Sequence, residues 1–223
     1  MNRRILVVAA HSDDEALGCG GTLARHVDED DRVEAIFVAD GVSSRKEGSD
    51  RGIARRESAA ARAQSILGIH AVHHLKMPDN RLDTLALLDI VQSIEPLIRS
   101  IAPEVIYTHH HGDLNVDHRL VHEAVLTACR PQPGCSVREI YTFEVMSSSE
   151  WNTPGKHPFL PQMRVDISAQ LPRKLEALKA YAEEMRCAPH SRSIEHLQAL
   201  AVHRGHEAGF MAAEAFGVIR LLR

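Results

Sequence analysis

The sequence predicts an α/β fold, a Rossmann-like, doubly wound and mostly parallel sheet with helices on both faces. Three observations predict it. Arg4 to Ala10 (RILVVAA) is a continuous apolar, β-branched run, as a strand buried on both faces requires. Strand-like and helix-like segments then alternate along about the first 145 residues. The chemically active side chains collect just after the first and fourth predicted strands, and folds of this class bind ligands beyond the carboxyl ends of their strands.

The elements follow in order. Gly18, Gly20 and Gly21 open an apolar stretch, Thr22 to Val27, that reads as a helix. Val33 to Ala39 is the second strand. Gly41 to Gly52 is polar and charged and contains Ser43-Ser44, so it reads as a mobile loop. Ile53 to Leu67 is Ala- and Arg-rich and helical, with Gly68 as its C-terminal cap. Ala71 to Leu75 is the third strand, followed by a loop, Lys76 to Asp83. Leu85 to Ile101 is a long amphipathic helix and Val105 to His109 the fourth strand. Val116 to Cys129 is a helix stopped by Arg130-Pro131, and Glu139 to Met146 is the fifth strand. Ala169 to Met185 and Ser193 to His203 read as two more helices, split by Cys187-Ala188-Pro189. Residues 1–223 thus read as one domain, with 169–223 its helical C-terminal extension.

Composition narrows the function. The 223 residues carry 26 basic and 30 acidic side chains, a formal charge of −4, which argues against a nucleic-acid binder driven by bulk charge. Aromatic residues are only 4%, which disfavours base stacking on a single-stranded platform. The apolar run Ile5 to Ala10 is too short for a signal-peptide core, and nothing approaches the roughly 20 apolar residues of a membrane span. Cys19, Cys129, Cys135 and Cys187 show no CxxC pairing, so a reduced, cytoplasmic chain is expected, with Cys19 a small buried hydrophobe rather than a reactive thiol. A homo-oligomer is left open. The anomaly is 15 histidines, several clustered, since imidazole is the commonest metal ligand.

The first cluster is His11, Asp13, Asp14 and Glu15. Like-charge repulsion makes three carboxylates at one strand end costly, and a divalent cation removes that cost. A histidine plus one carboxylate supplies two zinc-type ligands, and a neighbouring carboxylate stays free as a base. The bland alternative is an acidic turn capping a helix N-terminus. The second cluster is His109-His110-His111-Gly-Asp-Leu-Asn-Val-Asp117-His118. His118, with Asp117 beside it, could complete a three-ligand open site. The histidines at 109–111 cannot all face one pocket, because adjacent strand residues point opposite ways.

These two segments resemble the LmbE-like, or PIG-L, family of zinc-dependent N-deacetylases. Ala10-His11-Ser12-Asp13-Asp14-Glu15 is similar to that family's A-H-P-D-D-E signature, and Asn115-Val116-Asp117-His118 to its later H-P-D-H-type segment. The resemblance implies that His11, Asp14 and His118 are the metal ligands, for Zn²⁺ or alternatively Fe²⁺. It implies Asp13 as general base, Arg56 as a substrate contact and Asp79 as a holder of sugar hydroxyls. The substrate would be an N-acetylated amino sugar or glycoconjugate, and the products acetate and a free amine. Ser12 replaces the signature's proline. Asn115 stands where some members carry a histidine that steadies the oxyanion; an amide still donates a hydrogen bond but carries no proton.

Other residues have plainer readings. Arg56 lies on a charged helix, and Pro78-Asp79-Asn80 is turn-like. His190-Ser191-Arg192-Ser193 reads as a helix cap in preference to an anion-binding loop, and His206 has no assigned role. Trp151 sits in an ordinary loop, 147–161, rather than a sugar-stacking lid. Two competing functions are weighed. Gly18-Cys19-Gly20-Gly21 with Asp40 could mark a dinucleotide-binding oxidoreductase, but the third glycine of its fingerprint is missing at Leu23, and carboxylates would confront the pyrophosphate. The other is a metal-binding regulator without turnover.

Overall fold

The computed structural model describes residues 2–41 and 50–223, and only the backbone of 50–54. Seven strands form one sheet among the described residues: β1 (Arg4–Ala9), β2 (Arg32–Ala39), β3 (Ala71–Met77), β4 (Val105–His109), β5 (Glu139–Phe143), β6 (Met163–Asp166) and β7 (Ala213–Leu221). Their order is β3-β2-β1-β4-β5-β7-β6. The first five are mutually parallel, with Ile5 paired to Val33 on one side and Val105 on the other. Strand β7 is antiparallel to both β5 and β6.

Six helices cover the sheet among the described residues: α1 (Asp14–Asp28), α2 (Asp50–Leu67), α3 (Leu87–Ile101), α4 (Val116–Ala128), α5 (Leu171–Ala180) and α6 (Ile194–His206). Alternation along β1 sorts them into two layers. Ile5, Val7 and Ala9 pack with Leu23, Leu67, Leu178 and Leu197, from α1, α2, α5 and α6. Leu6, Val8 and Ala10 pack with Ile94 and Val121, from α3 and α4. Both faces of β1 are therefore dry, and each buried Leu, Ile or Val contributes about 1.5–3 kcal/mol. This is the doubly wound α/β architecture expected. Strand order reverses between β1 and β4, so the crevice beyond their carboxyl ends is where both histidine-bearing clusters must emerge.

Several boundaries differ from expectation. Helix α1 starts at Asp14 rather than Thr22 and is kinked at Cys19 (φ −145°). Its glycines lie inside the helix because of what they touch. A Cβ on Gly18 would enter the Phe143 ring, and one on Gly21 would meet Ile167 Cδ1 at 2.7 Å. Of the loop expected from Gly41 to Gly52, 42–49 lie outside the described residues and 50–52 already belong to α2. Strand β3 runs on to Met77, a 3-10 turn (Leu82–Thr84) precedes α3, and β5 stops at Phe143. The C-terminal region is not wholly helical: 213–221 form β7, which inserts beside β5, and α5 ends at Ala180. Ala213–Phe216 is fully buried there, which a reading of the tail as helix had hidden.

Candidate active site

The turn after β1 is built by its own polar groups. Asp13 has φ 146°, a conformation that costs a non-glycine residue about 1–3 kcal/mol. Local hydrogen bonds hold it there. The amide of Asp13 donates to Glu15 Oε2 (3.0 Å), and its carbonyl accepts from Leu17 N (2.9 Å), opening α1. The amide of His11 donates to Asp14 Oδ2 (2.9 Å). Asp14 and Glu15 occupy the first turn of α1, where the helix dipole favours negative charge.

Helix α4 brings the second cluster to the same place. His11 and His118 have ring centroids 5.4 Å apart. Asp14 Oδ2 lies 3.3 Å from His11 Nδ1 and 3.3 Å from His118 Nε2. One donor atom from each of the three residues lies within 4.8 Å of the others. Tetrahedral Zn²⁺ with bonds near 2.0–2.1 Å needs ligand atoms about 3.3–3.4 Å apart. Asp14 Oδ2 is the oxygen between the two imidazoles, and Asp14 Oδ1 is buried with no hydrogen-bond partner among the described residues, so the carboxylate keeps an unused buried oxygen. The donor set therefore fits a divalent metal.

The far sides of both rings meet carboxylates. His11 Nε2 is 3.0 Å from Asp79 Oδ1 and 3.3 Å from Asp117 Oδ2. Asp117 is fixed in turn by the amides of Asn80 (2.7 Å) and Leu82 (3.1 Å). His118 Nδ1 is 3.2 Å from Asp113 Oδ1, within ion-pair distance though without hydrogen-bond geometry, and Asp113 accepts from the Ser148 and Ser149 hydroxyls. Metal-binding histidines characteristically carry such a partner on the second nitrogen. Burial alone would lower the His118 pKa, but Asp14 and Asp113 raise it to about 9. Burial likewise opposes ionisation of Asp14, yet the His118 ring and the hydrogen bond from His11 hold its carboxyl well below the usual range.

Of the 109–111 histidines only His109 belongs to β4; His110 and His111 follow it in a turn, so the turn and not strand alternation separates them. His109 accepts the Ala10 amide at Nε2 (2.8 Å) and stacks on His118 at 3.9 Å. Burial and the neighbouring His118 lower its pKa well below the ordinary value, so it is a neutral packing partner of the triad. His110 is buried against the His157 carbonyl, and His111 is exposed.

Asp13 stands beside the triad and does not join it. Burial pushes its carboxyl above the usual range, and Arg192 opposes that shift. Arg192 Nη1 lies 2.9 Å from Asp13 Oδ2. The expected cap in that loop is there too, since the Ser193 hydroxyl accepts from His196 N at the start of α6. Arg56 is no solvated face: Nη1 is 2.7 Å from Glu184 Oε1, and its guanidinium packs on Gly41. Asp79 is buried behind His11 rather than open to solvent. Asn115 caps α4, its Oδ1 accepting from Asp117 N (2.8 Å), while Nδ2 donates to Asn80 Oδ1 (3.1 Å). Trp151 is half exposed and contacts the His190 ring edge-on. Cys19 is buried, and burial raises its thiol far above the ordinary value, as expected of an inert side chain. Sequence reasoning missed Asp113 and Tyr181, and set Arg192 aside by preferring a helix cap to an anion-binding loop at 190–193. The serine pair at 148–149 and the aspartate five residues before His118 were the only local hints.

The glycines of α1 do not cradle a phosphate. Gly18 faces Phe143, Gly20 faces Leu67 and Gly21 faces Ile167, and the amides of Gly21 and Thr22 are already taken by Glu214. The dinucleotide reading loses its binding loop.

Comparison with known proteins points the same way. The PIG-L family model, described as GlcNAc-PI de-N-acetylase, matches residues 6–129. An uncharacterized deacetylase of Escherichia coli K12, YaiS, is 33% identical over 183 residues, covering 79% of this chain and 89% of that protein. A probable N-acetyl-alpha-D-glucosaminyl L-malate deacetylase 2 of Bacillus anthracis is 23% identical over 189 residues, covering 82% of this chain and 81% of that protein. The conserved protein TT1542 of Thermus thermophilus superposes with a TM-score of 0.78 at 25% identity, over 99% of this chain and 97% of its own. No helix among the described residues is long and apolar enough to cross a membrane.

Proposed function

The chain belongs to the PIG-L family of de-N-acetylases, and we propose that it hydrolyses the N-acetyl group of an amino sugar or N-acetylglucosaminyl conjugate with a divalent metal. One observation carries the reading: donor atoms of His11, Asp14 and His118 lie within 4.8 Å of one another, with Asp14 Oδ2 3.3 Å from each of the two imidazole nitrogens. His11, Asp14 and His118 would hold the metal. Zn²⁺ is the first choice, and Fe²⁺ suits the same nitrogen and oxygen donors. When bound, such an ion lowers the pKa of water to about 7 and polarises the amide carbonyl.

Asp13 acts as general base. It is adjacent to ligand Asp14, its Oδ2 is held by Arg192, and its Oδ1 is left to take the proton of the attacking water. The same carboxyl then returns the proton to the departing amine, giving acetate and a free amine. Asn115 uses one amide hydrogen on Asn80 and keeps the second for the developing oxyanion. Arg56 lies on the Asp13 side of the site and is assigned to substrate. Asp79 is assigned to orienting His11 rather than to sugar hydroxyls, because it is buried on the far side of that ring. All four cysteines are free, which supports a reducing compartment such as the cytoplasm.

The test is acetate release from a panel of N-acetylated amino sugars and glycoconjugates, before and after chelation and re-addition of Zn²⁺ or Fe²⁺. Metal-dependent acetate release is expected. Stoichiometric metal with no release from any member of the panel would favour the regulator instead.

A further inference from the structure

The segment between α5 and α6 lies outside the stretch matched by the family model, yet it closes over the first motif. Two contacts reach the motif, and a third ties the segment to α2. The Tyr181 hydroxyl donates to Glu15 Oε1 (2.6 Å), Glu184 pairs with Arg56 (2.7 Å), and Arg192 reaches Asp13 (2.9 Å). We propose that Arg192 is a positioning residue for Asp13, so that the C-terminal segment completes a site whose ligands all lie between residues 11 and 118.

The argument starts from the difficulty of aiming Asp13. Its backbone is held at φ 146°, it is buried, and its neighbour Asp14 is a second carboxylate. Repulsion between adjacent carboxylates would turn the free one away from the centre. A cation on its outer oxygen opposes that rotation. Arg56 also faces Asp13, but its Nη1 is engaged by Glu184, and no contact of Arg56 with Asp13 is made within hydrogen-bond distance. Arg192 makes that contact, through Nη1 to Oδ2 alone.

The guanidinium is itself clamped. Nε donates to Ser147 Oγ (2.6 Å) and approaches the Met146 carbonyl (3.2 Å), while the Arg192 amide donates to His190 Nδ1 (3.0 Å). One planar group thus ties Asp13 to the start of the 147–161 loop. A lysine carries the charge but has no second edge for Ser147, so it cannot be fixed in the same way. The same loop supplies Ser148 and Ser149 to Asp113, behind His118. Base and ligand are therefore aligned from one loop.

The role rests on the de-N-acetylase reading; the contact does not, and the experiment separates them. In the metal-loaded enzyme, R192A should keep its metal and its KM, with kcat down by about 10²-fold, the cost of misplacing a reacting group. R192K should fall nearly as far, and added methylguanidine should restore part of the R192A rate. If R192A does not fold, R192K carries the kinetic test. Independently of any activity, R192M and D13N should be non-additive in urea unfolding, since they remove the two halves of one contact. Wild-type kcat in R192A, a raised KM with kcat kept, or additive unfolding would each overturn the proposal. A wild-type protein that releases no acetate, with non-additive unfolding intact, would overturn the de-N-acetylase reading and leave the contact standing.

Discussion

Asp113 Oδ1 lies 3.2 Å from His118 Nδ1, on the side of the ring away from Asp14. A carboxylate there fixes the ring's orientation and strengthens Nε2 as a donor atom to a metal. Loss of such a partner characteristically costs about 10–100-fold in metal affinity. D113A should bind Zn²⁺ weaker by about that factor in a chelator-competition titration, with the fold retained by circular dichroism. Unchanged affinity would mean that Asp113 serves only the Ser148 and Ser149 hydroxyls.

Gly18 and Gly21 are needed for close approach, not for a nucleotide. G21A places a methyl 2.7 Å from Ile167 Cδ1, and G18A drives one into Phe143. Alanine gains about 1 kcal/mol over glycine in a helix, but overpacking a dry core costs about 1–3 kcal/mol and sometimes more. A net fall in Tm of a few degrees is expected for each by calorimetry. Neutral variants would show that α1 packs less tightly against Phe143 of β5 and against Ile167.

His122 makes stability depend on pH. Burial lowers its pKa to about 4, although its Nδ1 donates to the His109 carbonyl (2.9 Å). The unfolded chain binds this proton near pH 6.5 and the folded chain only near pH 4, so stability is full above about 6.5 and is lost as pH falls through that window. The contribution is on the order of 3 kcal/mol at most. H122N keeps a donor and removes the titration. Its urea stability, measured against wild type from pH 7 to pH 4, should gain steadily on the parent as pH falls. A constant difference would contradict this.

Cysteine reactivity should sort by burial. Cys187 is exposed, whereas Cys19 and Cys129 are buried. Burial raises the Cys129 thiol to about 12, and thiolate is the reactive form. Brief iodoacetamide treatment of the native protein at pH 8 should label Cys187 and spare Cys19 and Cys129 by peptide mass spectrometry. Labelling of Cys19 in the folded state would contradict its packing in the core.

How much of this was legible in the chain follows from the range of each interaction. The parallel core was visible because Arg4 to Ala10 and Val105 to His109 are continuous buried runs, and the crevice between β1 and β4 follows from strand order. His11, Asp13 and Asp14 stood out because their crowding is local. The start of α1 was misread because glycine signals both a turn and a close approach, and only Phe143 and Ile167 decide between them. Strand β7 was missed because its burial depends on β5 and β6, and because charged Glu214 sits inside it, neutralised by Lys174 at 2.5 Å. Asp79 and Arg56 were noticed, but their partners His11 and Glu184 are set by the fold alone. Arg192 lay in a loop read as a cap; the Ser193 cap is there, and it hid the neighbouring arginine.

The central claim is that His11, Asp14 and His118 share one divalent ion while Asp13 stays off it. Metal content and acetate release, measured together on D13N and H118A, test it most directly; asparagine suits Asp13, whose φ of 146° penalises alanine. D13N should retain wild-type metal and lose activity by about 10²–10⁴-fold, the usual worth of a general base, while H118A should lose the metal. An H118A protein with wild-type metal content, or a D13N protein at wild-type rate with metal bound, would contradict the account.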